Sequence, residues 1–389
     1  MRKILRQNCG DLLRDIERLG ETLLQTKSSI PKELFFFYQW VCAAREAYRT
    51  RAHNILRLLD LNLDDILPDV LSETQNLLLD FQLYNRRLLG PVLRARSSDR
   101  LCLMFLKWLH QNHPNAKDIP TALSDGDFAS WPFPEWPAVY FMPPSAQHRL
   151  LYLPLFFHEF GHILYSCYKQ EMDPLVQKLQ KKIRQFLEPS AQRDDQLARR
   201  DEQKRRAISE TWYEWMHELF CDAAGLIIGG PAFAYSFSMY FRLLGREEYH
   251  LRHEELEGRE HPVTWLRIRV LADRSKRMAY HDVTTELEET WSTIAATMGV
   301  DEDYYGFFEV AFLPEIQKII DEMLTKADLS SFQGKDLSAH KEDAEGHMVI
   351  DLATLSFAAL LNQAWSRFLN NADGYAAWER TTIDALLAG

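Results

Sequence analysis

Two histidines and a glutamate interrupt the apolar run LPLFFHEFGHILY, Leu153 to Tyr165. Burying imidazole and carboxylate among Leu, Phe, Ile and Tyr is costly unless each finds a partner, and a divalent metal satisfies all three together. On an α-helix, positions i and i+4 share a face, so His158 and His162 aim their rings at one point with a separation suited to tetrahedral zinc. Glu159 then stands beside the metal rather than on it. A carboxylate there can take a proton from water whose pKa zinc has lowered from about 16 to about 7. Gly161 is small enough to admit another backbone or side chain. The competing reading is a pair of core histidines satisfied by hydrogen bonds.

A catalytic zinc takes three protein ligands and leaves one position open. The third is not nearby, because HEFGHILYSCY lacks the glycine and third histidine of the HExxHxxGxxH pattern. The best candidate lies in WMHELFCDAAG, where Glu218 and Asp222 again stand i and i+4 within an apolar run. Glu218 would bind the metal. Asp222, one turn on, would accept the N–H on the far side of His158 and fix its tautomer. Glu214 and His217 compete for the ligand role, although His217 points about 100° away from Glu218 around the helix. Farther on, GREHPVTWLRIRVL sets His261 before a proline and Arg267 on the helix that follows. A histidine delivered near the metal by a rigid loop can donate to the oxyanion of a tetrahedral intermediate, worth roughly 3 kcal/mol. Equally, His261 can be a surface residue at a helix start and Arg267 a member of a structural ion pair.

These segments, His158-Glu159-Phe160-Gly161-His162, then Glu218-Leu219-Phe220-Cys221-Asp222, then His261-Pro262 with Arg267, resemble the three ordered motifs of the gluzincin metallopeptidases. In motif order they are most similar to the branch containing the CAAX prenyl protease and its bacterial heat-shock peptidase relatives. The resemblance implies one Zn2+ per chain held by His158, His162 and Glu218. It also implies Glu159 as general base, Asp222 supporting His158, and His261 assisting the oxyanion. It runs from Ser145 to Leu271. Cys221 departs from the alanine usual in that branch, and the branch's membrane helices are missing, so its membrane and prenylated substrates do not carry over. A second likeness is to soluble gluzincin-like peptidases that cleave repressors, although those have a shorter gap to the third ligand.

The elements that must position these residues are mostly helical. With 389 residues and 46% hydrophobic content the chain can bury a sizeable core. Leu12, Ile16, Leu19 and Leu23 repeat at helical spacing, and similar stripes recur around Ile55 to Leu61 and Leu101 to Leu109. Gln111 to Pro144 holds seven prolines and reads as a loop-rich connection containing one short strand, Ala138 to Met142. An exposed edge on that strand would let an extended peptide add to it. Ser145 is a candidate N-cap for the metal-binding helix, with a restart at Pro154. Lys178 to Arg206 is charged and reads as a solvated helical hairpin, or as a basic rim that selects acidic partners. Ala223 to Phe241 has no charge over nineteen residues, but Gly229-Gly230-Pro231 should split it into two buried helices. Lys326 to His347 reads as a mobile loop before a last helical pair.

The expected fold is therefore mainly α: a helical zincin-like metallopeptidase core with a short β element before the metal-binding helix. Three regions are expected: an N-terminal helical scaffold over 1–130, a zinc metallopeptidase core over 131–275 with the charged insertion at about 178–206, and a C-terminal helical region over 276–389. The net charge of −11 argues against a general nucleic-acid binder. Five scattered cysteines suit a reducing compartment, and no signal peptide or stable membrane insertion is expected, which together point to the cytoplasm. The function expected is zinc-dependent hydrolysis of peptide bonds in a restricted set of protein or peptide substrates. The alternatives are a regulatory or binding protein with a structural or sensing zinc, and a protease of a stress or defence system activated by a regulatory protein partner.

Overall fold

Helical periodicity decides most of the chain. The computed structural model describes residues 1–132, 136–188, 195–244, 251–299, 304–329, 331–333, 341–342, 348–349 and 355–388. They form two compact units, Met1–Gln111 with Asp118–Gln147, and Asn112–Lys117 with His148–Gly389. The first division thus falls after Gln147 rather than near residue 130, and the expected C-terminal region belongs to the same unit as the helix that carries His158 and His162.

In the first unit, α1 (Arg2–Thr26) buries Leu5, Cys9, Leu12, Ile16 and Leu23 along one stripe. It packs on α2 (Phe35–Asp60) and α3 (Leu67–Arg87), with the Tyr84 hydroxyl donating to the Val41 carbonyl at 2.9 Å. The short α4 (Leu89–Leu93) and α5 (Arg100–Gln111) lead to a small sheet. Strand β3 (Ala138–Met142) forms as its β-branched and aromatic composition predicts, but β1 (Thr121–Asp125) and β2 (Ala129–Trp131) arise within the stretch read as loop. The order is β1-β3-β2, parallel on one side (Thr121 opposite Ala138) and antiparallel on the other (Trp131 opposite Val139). Both edges of β3 are therefore paired. This overturns the expectation that a substrate strand adds to it, since its main-chain donors and acceptors are already used.

The second unit is built around two helices, α6 (Leu155–Cys167) and α8 (Asp195–Gly229), whose packing is the most extensive helix pairing among the described residues. Between them runs α7 (Lys169–Phe186). Pro154, not Ser145, is the N-cap of α6: Ser145 sits inside a single 3-10 turn, Pro144–Ala146, which the double proline starts. The charged hairpin consists of the end of α7 and the start of α8, with 189–194 outside the described residues. Several of its cations are paired: Lys178 with Glu322 at 2.8 Å, Arg206 with Glu210 at 2.7 Å, and Arg184 and Arg205 with Glu202. That pattern suits a solvated hairpin more than a free basic rim.

Helix α8 ends where Gly230, at φ +62°, turns the chain into α9 (Pro231–Arg242), so the uncharged stretch is two helices as expected. No described helix is long and apolar enough to cross a membrane. After α10 (His253–Leu256) come α11 (Thr264–Arg277), α12 (His281–Met298) and α13 (Leu313–Ala327). A two-residue pairing of β4 (Lys341–Glu342) with β5 (Met348–Val349) follows. The rest of the expected loop after Ser331-Phe332-Gln333 lies mostly outside the described residues. The last pair, α14 (Phe357–Asn370) and α15 (Ala372–Ala388), closes the unit. All five cysteines are free thiols.

Candidate metal centre

Helix α6 carries His158 and His162 one turn apart, their rings 5.0 Å between centroids and perpendicular. The facing stretch of α8 brings Glu218 between them. His158 Nε2 lies 3.3 Å from Glu218 Oε2, and His162 Nε2 lies 3.5 Å from Glu218 Oε1. One ligand atom from each of the three residues falls within 4.8 Å of the others, a group that could hold a metal ion.

The residues fit a cation on two counts. Atoms bound at about 2.0–2.1 Å to a tetrahedral zinc stand about 3.3 Å from one another, close to the separations observed and longer than a charge-assisted hydrogen bond. Glu218 Oε2 is also buried and makes no hydrogen bond, although Arg267 Nη2 lies 3.2 Å from it, so the oxygen keeps a lone pair that a bound cation would take up.

Behind the ligands the support is dense. Asp222 Oδ1 is 2.8 Å from His158 Nδ1, the ring nitrogen that faces away from Glu218, so the contact holds the Nδ1 proton and turns Nε2 toward Glu218. Arg267 reaches in from α11 and gives Asp222 a two-pronged contact, Nε to Oδ2 at 2.9 Å and Nη2 to Oδ1 at 2.7 Å. The same Nη2 is 3.2 Å from Glu218 Oε2. Its guanidinium lies over Phe237 at 4.8 Å and Phe241 at 5.0 Å, both on α9, which sequence reading did not connect with the site.

Charge and burial act together on these groups. Burial lowers the His158 pKa, but the carboxylates of Asp222 and Glu218 beside it outweigh burial and raise it to about 10. Burial pushes His162 down to about 4 against the pull of Glu218. Glu218 is held well below the usual carboxylate range although its burial works the other way, because Arg267, His162 and His158 surround it. Arg267 is raised despite burial, by Asp222 and Glu218.

His261 joins the group from the segment before α11, its Nε2 3.5 Å from Glu218 Oε1. Its side chain is 56% exposed and that of His162 24%, while those of His158, Glu218, Asp222 and Arg267 are buried. Solvent therefore reaches the cluster from the His162 and His261 side. Glu159 is buried on α6 beside His158.

No protein-family model, curated protein or solved structure matches this chain.

The competing ligand candidates stand elsewhere. His217 is caged by Tyr165 at 4.0 Å and Tyr213 at 4.6 Å, with Nδ1 3.7 Å from Glu214, and burial lowers its pKa to about 4. Asp173 accepts from the Tyr165 hydroxyl at 2.6 Å and the Tyr213 hydroxyl at 3.0 Å, an arrangement sequence reading missed. The signal was present in spacing alone: Tyr165 is three residues past His162, and Tyr213 four before His217.

Proposed function

We propose that the chain is a zinc-dependent peptidase. The observation that carries this reading is the convergence of His158, His162 and Glu218 from two helices, with a carboxylate, Glu159, next to the first ligand and an exposed imidazole, His261, on the solvent side. Two His and one Glu favour zinc, and three ligands leave a position for substrate chemistry. Among the described residues the ligand group has three members, whereas a structural site takes four.

A divalent cation held there supplies Lewis acidity for a carbonyl and lowers the pKa of a water. The rest falls to this chain's own groups. Glu159 takes the proton from the attacking water and returns it to the leaving amine. Asp222 orients the His158 ring, and the Arg267 guanidinium bridges the carboxylates of Asp222 and Glu218 at 2.7 and 3.2 Å. His261 donates to the carbonyl oxygen as negative charge develops on it. The peptide nature of the substrate comes from the motif resemblance. The five free thiols support a cytoplasmic setting.

Elemental analysis of the purified wild type, Glu218→Ala and Glu159→Gln tests the reading, followed by digestion of a denatured protein such as casein. About one zinc in wild type and Glu159→Gln, none in Glu218→Ala, and cleavage by wild type alone are expected. A wild type that holds no metal after zinc addition, or a Glu218→Ala that keeps it, sinks the reading.

A further inference from the structure

His261 is the most exposed of the residues gathered at the site, and it lies in the irregular segment between α10 and α11. An imidazole so placed loses rotamer and backbone freedom whenever it acts, unless its main chain is already fixed. Helix α8 fixes it along one face. Thr211, Trp215 and Glu218 follow one another at four and three residues, so they form a single stripe. Thr211 Oγ1 accepts from the Gly258 N–H at 3.0 Å, and Trp215 Nε1 donates to the Arg259 carbonyl at 3.1 Å. Glu218 Oε1 meets His261 Nε2 at 3.5 Å. The attachments advance in step, helix and segment running side by side. Gly258 makes the entry turn at φ +70°, and Arg259 Nε donates to the His261 carbonyl at 3.2 Å, closing the segment on itself.

We propose that Thr211 and Trp215 are positioning residues that latch the 258–261 segment onto α8 and thereby hold His261 at the metal site. Trp215 is fully buried, yet its one polar atom is spent on a loop carbonyl. Thr211 is likewise buried, and its hydroxyl holds the amide of the turn glycine. Neither side chain need touch substrate. Each acts through His261.

The proposal rests on the peptidase reading, and the test separates the two. Zinc-loaded wild type, Thr211→Val, Trp215→Phe and His261→Ala are titrated calorimetrically with a phosphinic tripeptide, whose tetrahedral anion needs the His261 hydrogen bond, and with a hydroxamate, which does not imitate that anion. We expect His261→Ala to weaken the phosphinic probe about 100-fold and each latch variant about tenfold, with hydroxamate affinity within about twofold of wild type throughout. In the His261→Ala background the latch substitutions should add nothing further. Latch variants that bind the phosphinic probe as wild type does, while His261→Ala loses it, overturn the latch and leave the peptidase reading standing. So do latch losses that add in full to that of His261→Ala. Equal loss of both probes in the latch variants overturns it as a general structural effect. A wild type that carries zinc but binds neither probe overturns both. Thr211→Val keeps the shape of the side chain and carries the test alone if Trp215→Phe does not fold.

Discussion

Gly161 and Cys221 meet where the helix of His158 and His162 crosses the helix of Glu218: a Cβ on Gly161 would lie 2.7 Å from the Cα of Cys221. The clustered residues flank this point, His162 one residue after Gly161 and Glu218 three before Cys221. The close approach of α6 and α8 is thus what brings the histidine nitrogens to 3.3 and 3.5 Å from the Glu218 oxygens.

Gly161→Ala should therefore damage metal binding and stability together. Helix propensity favours alanine by about 1 kcal/mol, but forcing the helices apart costs about 1–3 kcal/mol. The atom met is main chain, so Cys221→Ala does not rescue the variant. We expect a lower melting temperature and a zinc affinity reduced by about tenfold, in the range seen when a ligand's support is disturbed. A competitive chelator titration reads the affinity. An unchanged zinc affinity would show that the crossing distance does not set the ligand geometry.

Asp222→Asn tests the support of His158 without changing its shape. The amide can still occupy the 2.8 Å contact with Nδ1 but no longer carries charge, and it leaves Arg267 with one fewer counter-ion. Zinc affinity should fall about 10- to 100-fold. Glu218→Ala should abolish binding altogether, and comparing the two by chelator titration separates a supporting group from a ligand.

What was legible in the sequence follows from how local each signal is. His158 with His162, and Glu218 with Asp222, are one-turn pairs, and a helix places such pairs on one face whatever surrounds it. The break at Gly230 was legible for the same reason, since Gly-Gly-Pro acts on its own few residues. The sheet was not. Ala138–Met142 has strand composition by itself, but which strands flank it depends on Thr121 and Trp131 meeting it across intervening chain, so its central position could not be read. Likewise nothing near Arg267 in sequence announces Phe237 and Phe241, which lie on a different helix. The placement of His217 between two tyrosine rings depends on Tyr165 on α6 as well as Tyr213 on its own helix.

The first unit should show an alkaline signature. Burial pushes the Tyr48 hydroxyl up to about 12, helped by Asp80, and burial raises Tyr84 further. Both are raised above the unfolded value, so their stabilising contribution is complete below pH 10 and is lost as pH rises through the folded pKa. Above pH 10 the free energy of unfolding should fall with a slope of about 1.4 kcal/mol per pH unit for each such tyrosine. Spectrophotometric titration should find Tyr48 and Tyr84 missing from the step near pH 10, recognised by comparison with Tyr48→Phe and Tyr84→Phe. A native protein in which either hydroxyl titrates with the exposed tyrosines would contradict this burial.

Arg267→Met separates the charge role of the arginine from its packing. Methionine keeps an apolar stem against Phe237 and Phe241 but leaves Glu218 and Asp222 as neighbouring buried carboxylates without their guanidinium. Removing one partner of a buried ion network costs about 3–5 kcal/mol, so the metal-free variant should melt well below wild type. Zinc should restore a larger share of stability to the variant than to wild type, because the cation supplies the positive charge that Glu218 has lost. The comparison is a pair of melting curves, with and without saturating zinc. Equal zinc-induced shifts in the two proteins would mean that Arg267 does not share the neutralisation of Glu218 with the metal, and that its contact at 3.2 Å is incidental.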